Sequence, residues 1–382
     1  MPPTTAPASR TGTASPPPRS PLLDLPGAVP AQGQDTGVAW HYGDPAAEER
    51  ALAAGAAVVD LSHRGVLRIT GPDRLSWLHS LTTQHLKDLS PEQPTEALLL
   101  SPQGHIEHAL HLVEDGEVCW ITVEPGRAGP LASWLDSMRF LVRVQVEDVT
   151  ADWAVIGEVG EGTLPHRNPA PRNPAPRNPV VWTDPWPCPC PGSALYTSPR
   201  DQDGNRPGPQ DDPGHPGHDR PWREVLVERR QLAAAATSAP RLAGTWAAEA
   251  LRVAAHRPRA GAETDHRTVP HELDWLRTAV HLSKGCYRGQ ETVAKIHNRG
   301  KPPRRLTLLH LDGSEHVLPD HGAVVTLDGR DVGRVTTPAR HSELGPIALA
   351  VLSGRAPFEA DLLVQVEGDG WIAAAQEPIV CP

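Results

Sequence analysis

Cys286 is the side chain in this sequence best suited to act as a nucleophile. It lies in Lys284-Gly285-Cys286-Tyr287-Arg288-Gly289-Gln290-Glu291, a stretch that runs on through Thr292, Lys295 and Arg299 to Lys301. The chain takes nearly all its positive charge from arginine, and its only lysines are Lys87, Lys284, Lys295 and Lys301, so most of them crowd into this segment. A thiol attacks as the thiolate, and nearby cations or a helix N-terminus favour that form. Lys284 and Arg288 are therefore the candidate activators of Cys286, while Tyr287, Gln290 and Glu291 are candidate positioning hydrogen-bonders. Gly285 and Gly289 free the backbone for a sharp turn or a close approach. The alternative is an inert cysteine buried in a glycine turn, but charged neighbours on both sides disfavour apolar burial.

Several elements have to hold this stretch in place. After Gly289, the positions of Val293 and Ile296 and the Glu291/Lys295 pair follow helical spacing, and Asn298 and Gly300 are stop signals. The pattern predicts a helix with Cys286 just ahead of its N-terminus. Val280 and Leu282 alternate with His281 as a strand end would. Upstream, an alanine-rich helix is expected over residues 245–254. Over residues 36–160 strands and helices interleave, with a hairpin turned at Asp115-Gly116, as in an antiparallel-rich α+β unit. Beyond Pro302-Pro303, short strands separated by Gly and Asp turns predict a small β-barrel over 303–382.

Two stretches differ in character. Residues 1–35 are rich in Pro, Ser and Thr, and residues 161–221 carry a repeated Arg-Asn-Pro-Ala-Pro unit followed by Pro, Gly, Asp and His. Both are expected to be disordered, a tail and an insert, with Val180-Val181-Trp182 and Ala194-Leu195-Tyr196 as strand remnants of the host domain. Residues 222–302, which carry the cysteine motif, form the region between insert and barrel. Within the insert, Cys188-Pro189-Cys190 near His215 and His218 invites a metal reading, but the spacing matches no zinc framework and no metal is expected.

Composition bounds the function. A formal net charge of −10 over 382 residues gives no overall footprint for nucleic acid, so none is expected as a direct partner. One local cluster is basic: Lys284, Arg288, Lys295, Arg299, Lys301, Arg304 and Arg305 against Glu291, which suits a small anionic ligand. Five irregularly spaced cysteines argue against a disulfide framework, and no apolar run approaches the roughly 20 residues of a spanning helix. A cytoplasmic protein without a membrane partner is the expectation.

The motif K-G-C-Y-x-G-Q-E, read at Lys284–Glu291, resembles the signature of the YgfZ family, folate-binding proteins related to the glycine-cleavage T-protein. Asp60-Leu61-Ser62-His63, the Ile69–Asp73 passage, Thr268–Glu272 and Val332–Thr337 are similar to segments of the same superfamily. The resemblance implies a GcvT-like three-domain α+β architecture with antiparallel-rich units and a C-terminal β-barrel, and tetrahydrofolate as cofactor. It implies that Trp246 stacks near the pterin, that Arg252 meets folate carboxylates, and that Cys286 works with Lys284. It further implies iron–sulfur proteins or their assembly factors as partners, and upkeep of iron–sulfur enzymes, tRNA-modifying ones included, as the task. A lone thiolate cannot hold such a cluster, so any contact would be shared with a partner.

Two other readings stand beside this one. A folate-dependent aminomethyltransferase is the first, although the T-protein's L-R-x-E-A-G reads here Leu251-Arg252-Val253-Ala254-Ala255-His256 and its V-N-A segment reads Thr122-Val123-Glu124-Pro125. A folate-free scaffold using the basic patch for RNA or protein is the second, with no aromatic interleaving to support it.

Overall fold

The computed structural model describes residues 18–164, 180–197, 212–314, 317–368 and 370–381. Two five-stranded sheets and a closed six-stranded barrel form its frame.

The first sheet is wholly antiparallel. Its strands run in the order Pro94–Leu100, Ile106–Glu114, Val118–Val123, Gly65–Thr70 and Gln145–Asp148. Strand alternation divides its faces. Leu67, Ile69, Leu110 and Leu112 point to one face, which is covered by helices over Arg74–Leu81 and Ala128–Ser137 through Trp77, Leu78, Leu131 and Leu135. The opposite face, carrying Val66, Val113 and Trp120, looks toward the second sheet.

The second sheet orders Val181–Thr183, Trp222–Glu228, Trp153–Val159, Val58–Asp60 and Leu242–Ala243, with only the last pair parallel. One face packs on the helices Pro45–Ala53 and Thr245–Ala254 through Leu52, Ala247, Ala248 and Leu251. The other packs on Leu22 and on Leu232 and Ala236 of the helix Leu232–Ser238. The barrel closes from Arg304–Leu311 round to Trp371–Pro378. On its first strand Leu309 and Leu311 fill the interior, whereas Leu306 and Leu308 pack outward against Leu273, Leu276 and Tyr287. The expected α+β class, antiparallel sheets and C-terminal barrel are all present.

Three expectations need correction. The insert is not unstructured throughout: the strand remnant expected at Val180-Val181-Trp182 is present, whereas at Ala194-Leu195-Tyr196 the chain is held by burial of Leu195 and Tyr196 without forming a strand. Val181–Thr183 pairs with Trp222–Glu228, Trp182 is 1% exposed and Tyr196 is fully buried, and Trp182 Nε1 donates to the Thr95 carbonyl at 2.8 Å. Large aromatic side chains outweigh the Pro-rich composition wherever a sheet edge and a core lie open to receive them. Residues 165–179 and 198–211 lie outside the described residues, as do 1–17 of the tail. The tail enters the fold by residue 18: Leu22 is buried against Val58 and Ile156, and the Ser20 hydroxyl donates to Asp60. Third, residues 280–282 form no strand; they belong to a turn-rich loop in which Leu282 N–H donates to the Gly192 carbonyl at 2.8 Å.

Candidate functional site

The cysteine motif forms a loop that leads into the helix Gln290–Arg299, as its spacing predicts. Gly289 opens that helix at φ +81°, and a Cβ there would lie 2.6 Å from the Ser101 carbonyl oxygen and 2.8 Å from Gly104 Cα. Glycine is required on both counts. The contact seats the motif on the turn at residues 101–104 of the first sheet. Gly285, by contrast, has open space around it.

Lys284 makes a second anchor rather than an activator. Its buried Nζ donates to three backbone carbonyls, those of His79, Thr82 (2.5 Å) and Gln84 (3.0 Å), which spends all three ammonium donors. Burial draws its pKa down to about 7, against the pull of those acceptors toward the charged form. Arg288 is also engaged: it donates to Glu107 at 3.0 Å and lies over the Trp134 ring at 5.5 Å. Tyr287 is buried in the core below, which pushes its phenol pKa up, and Gln290 Nε2 reaches back to the Lys284 carbonyl at 3.4 Å. Cys286 and Glu291 are exposed. The loop thus presents an accessible thiol on a firmly held backbone, with its cations committed to holding that backbone.

Arg252 is likewise committed. Nε and Nη2 clasp Glu249 at 2.9 and 2.7 Å, and Nη1 reaches Glu263 at 3.0 Å and the Arg257 carbonyl at 2.6 Å. Nη2 also donates to the Thr337 hydroxyl of the barrel at 3.0 Å, so all five N–H donors are used. This corrects Arg252 as a free receiver of ligand carboxylates. Trp246, half-buried in the first turn of the same helix, does not line the cavity that Arg252 faces. Ala254 ends that helix and packs on the core near the barrel, leaving no carboxylate at its position.

That cavity is a narrow slot between the two sheets. The first sheet contributes Glu96, Ala109, His111 and Thr122, with Glu124 just past the strand Val118–Val123, and the second contributes Trp182, Trp222 and Glu224. Arg64, Asp184, Arg220, Arg252, residues 257–260 and Trp275 are further parts of its wall. Its aromatic surfaces are Trp182, stacked on His111 with ring centroids 3.7 Å apart, Trp222 and Trp275.

Charge in the slot is dense and paired. Glu224 takes Arg64, His111 at 3.0 Å and the Thr122 hydroxyl at 3.1 Å. Arg257 bonds Glu96 at 2.7 Å and Asp184 at 3.1 Å, and Arg259 bonds Asp35 at 2.7 Å and Glu124 at 2.9 Å. Burial would raise the Glu124 pKa, but Arg259 and Arg64 overcome it and hold the carboxyl at about 2. Glu224 is held low in the same way by Arg64 and His111.

The slot and the motif share a strand. Glu107, Ala109 and His111 stand on one face of Ile106–Glu114; His111 and Ala109 line the slot, and Glu107 receives Arg288. Two residues of strand, roughly 7 Å, separate Glu107 from Ala109.

Elsewhere, Cys188 is exposed, Cys190 Sγ accepts from Gln84 Nε2 at 3.2 Å, and the His215 ring packs edge-on to Trp186. Among the described residues no group of three or more His, Cys, Asp or Glu is arranged to hold a metal ion, and no helix is long and apolar enough to cross a membrane. The slot residues Arg64, Glu96, Asp184, Arg220, Glu224, Arg257 and Arg259 were not expected from sequence. The nearest signal was the run Arg252, Arg257, Arg259 in an otherwise small and apolar stretch.

Comparison with known proteins agrees with this architecture. Residues 27–160 match the family model described as the GCVT N-terminal domain. A protein of Arabidopsis thaliana that carries the name of a chloroplastic transferase is 26% identical over 293 residues, which span 74% of this chain and 62% of that protein. An aminomethyltransferase of Nostoc sp. is 27% identical over 344 residues, 85% of each chain. The crystal structure of glycine cleavage system aminomethyltransferase T from Bartonella henselae superposes with a TM-score of 0.69 at 17% identity, covering 93% of this chain and 94% of that one. Residues 27–160 thus resemble a GCVT N-terminal domain, and the chain has the GcvT-like fold.

Proposed function

We propose that this protein binds tetrahydrofolate in the slot between its two sheets and acts, through the exposed thiol of Cys286, in the assembly or repair of iron–sulfur proteins, as the YgfZ resemblance implies. The observation that carries the folate half is the slot itself: aromatic surfaces from Trp182, Trp222 and Trp275 among buried charged groups suit a flat, polar heterocycle. For the second half, the support is an accessible Cys286 on a loop fixed at Gly289 and Lys284. Bound folate would supply a one-carbon carrier, while the chain's own residues hold it, exclude water and present the thiol near the strand that walls the slot.

The second reading is a folate-dependent aminomethyltransferase, and the names of the relatives favour it. Against it stands Ala254, where the transferase motif has a carboxylate. One pair of assays separates the two. Under the first reading, Cys286→Ser fails to restore iron–sulfur enzyme activity in a strain lacking the native protein, and the wild type releases no ammonia from an aminomethylated lipoyl carrier. Ammonia release at about 1 per second or faster, unaffected by Cys286→Ser, would establish the transferase instead.

A further inference from the structure

We propose that Cys188 and Cys190 form a redox-active thiol pair that exchanges with small-molecule disulfides, independently of folate binding and of Cys286. The two cysteines flank a single proline in Cys188-Pro189-Cys190. Of the five cysteines, Cys119 and Cys381 are buried, Cys188 and Cys286 are exposed, and Cys190 is half-buried. Chain geometry keeps Cα atoms two residues apart within about 7 Å, and a disulfide spans about 4.4–6.8 Å between its Cα atoms. The backbone at this pair is turned rather than extended: the Cys188 N–H donates to the Pro185 carbonyl at 2.7 Å, and the Cys190 carbonyl accepts from the Ser193 N–H at 3.1 Å. Chain length alone therefore puts the two sulfurs in bridging range.

The two thiols stand in unequal surroundings, which divides their roles. Cys190 is held: Gln84 Nε2 donates to its Sγ at 3.2 Å, and that amide is itself fixed by the Thr278 carbonyl at 2.9 Å and the His85 N–H at 2.8 Å. The Cys190 N–H donates to the Arg277 carbonyl at 2.9 Å, and burial pushes its thiol pKa up. Cys188, open to solvent, is therefore the attacking sulfur. It loses its proton to solvent and attacks one sulfur of the disulfide; that S–S bond breaks, a mixed disulfide forms on Cys188, and the first thiolate leaves and is protonated. Cys190 then gives up its proton and attacks Cys188 Sγ, displacing the second thiolate. Proximity offsets its small thiolate fraction. Two protein thiols are oxidised to one disulfide, and one small-molecule disulfide is reduced to two thiols.

Oxidised glutathione on the full chain tests the pair, read by intact mass and by mapping the peptide that spans both cysteines after free thiols are alkylated. Cys286→Ser removes the other exposed thiol. In that protein the peptide is expected to lose two hydrogens, to carry no glutathione and to resist alkylation until dithiothreitol is added. Cys190→Ser in the same background is expected to stop at the first step, with one glutathione retained on Cys188. Cys188→Ser should react about tenfold more slowly, through the half-buried Cys190. Should either serine variant at the pair fail to fold, the peptide of the Cys286→Ser protein decides alone. Stable glutathione on Cys188 beside a free Cys190, or two thiols that stay reduced, overturns the proposal. So does a Cys188–Cys286 bond as the main product in the wild type.

Discussion

At the scale of single residues, the chemistry-bearing side chains divide into those that hold and those that are free to act. Lys284 belongs to the first group. Replacing it with Met leaves the carbonyls of His79, Thr82 and Gln84 without their shared donor, so Lys284→Met should cost about 2–3 kcal/mol of unfolding free energy. Urea denaturation measures it; a change below about 0.5 kcal/mol, the range of ordinary surface substitutions, would mean that the anchor is dispensable. Glu124 gives a pH prediction. Its folded-state pKa, about 2, lies below the ordinary 4.5, so its contribution is present above about pH 4.5 and fades as pH falls toward 2. Arg259→Gln removes the main opposing charge and should move acid unfolding to higher pH, read by circular dichroism against pH. An unmoved midpoint would contradict the assignment.

Elements show where the sequence could and could not be read. The helix Gln290–Arg299 was legible because its start depends on a local glycine and its spacing on neighbours three and four residues away. Helix Thr245–Ala254 matched its expected span for the same reason. Barrel strands were legible through regular turn spacing, though the structure lengthens them, as at Arg330–His341. The role of Arg252 was not, since two of its partners, Glu263 and Thr337, lie 11 and 85 residues away. Nor was the slot, whose walls join Glu96, Asp184 and Arg257 across 161 residues without any local motif. The insert was legible only at Val180-Val181-Trp182, because prolines dominate its composition while the buried aromatics Trp182, Trp186 and Tyr196 hold it to the fold. Trp182→Ala should accordingly cost about 3–5 kcal/mol, as measured by denaturant unfolding, and a loss under 1 kcal/mol would return residues 180–197 to the status of a linker. Arg252→Gln should be comparably damaging, about 3–5 kcal/mol, because Glu249 and Glu263 would remain buried without their cation.

For the whole molecule, two sheets clasp a charged slot, the helix Thr245–Ala254 ties that slot to the barrel, and the cysteine loop is seated on the first sheet beside it. Ligand site and thiol are carried on one strand, so binding and thiol chemistry share a scaffold yet draw on different residues. The central claim is that the slot takes tetrahydrofolate. Titrating the intact protein anaerobically with tetrahydrofolate while following tryptophan fluorescence tests it most directly, because Trp182, Trp222 and Trp275 form the walls. Saturable quenching at one ligand per chain, retained in Cys286→Ser, is the expected result. A linear, unsaturable response identical in both proteins would contradict folate binding in the slot.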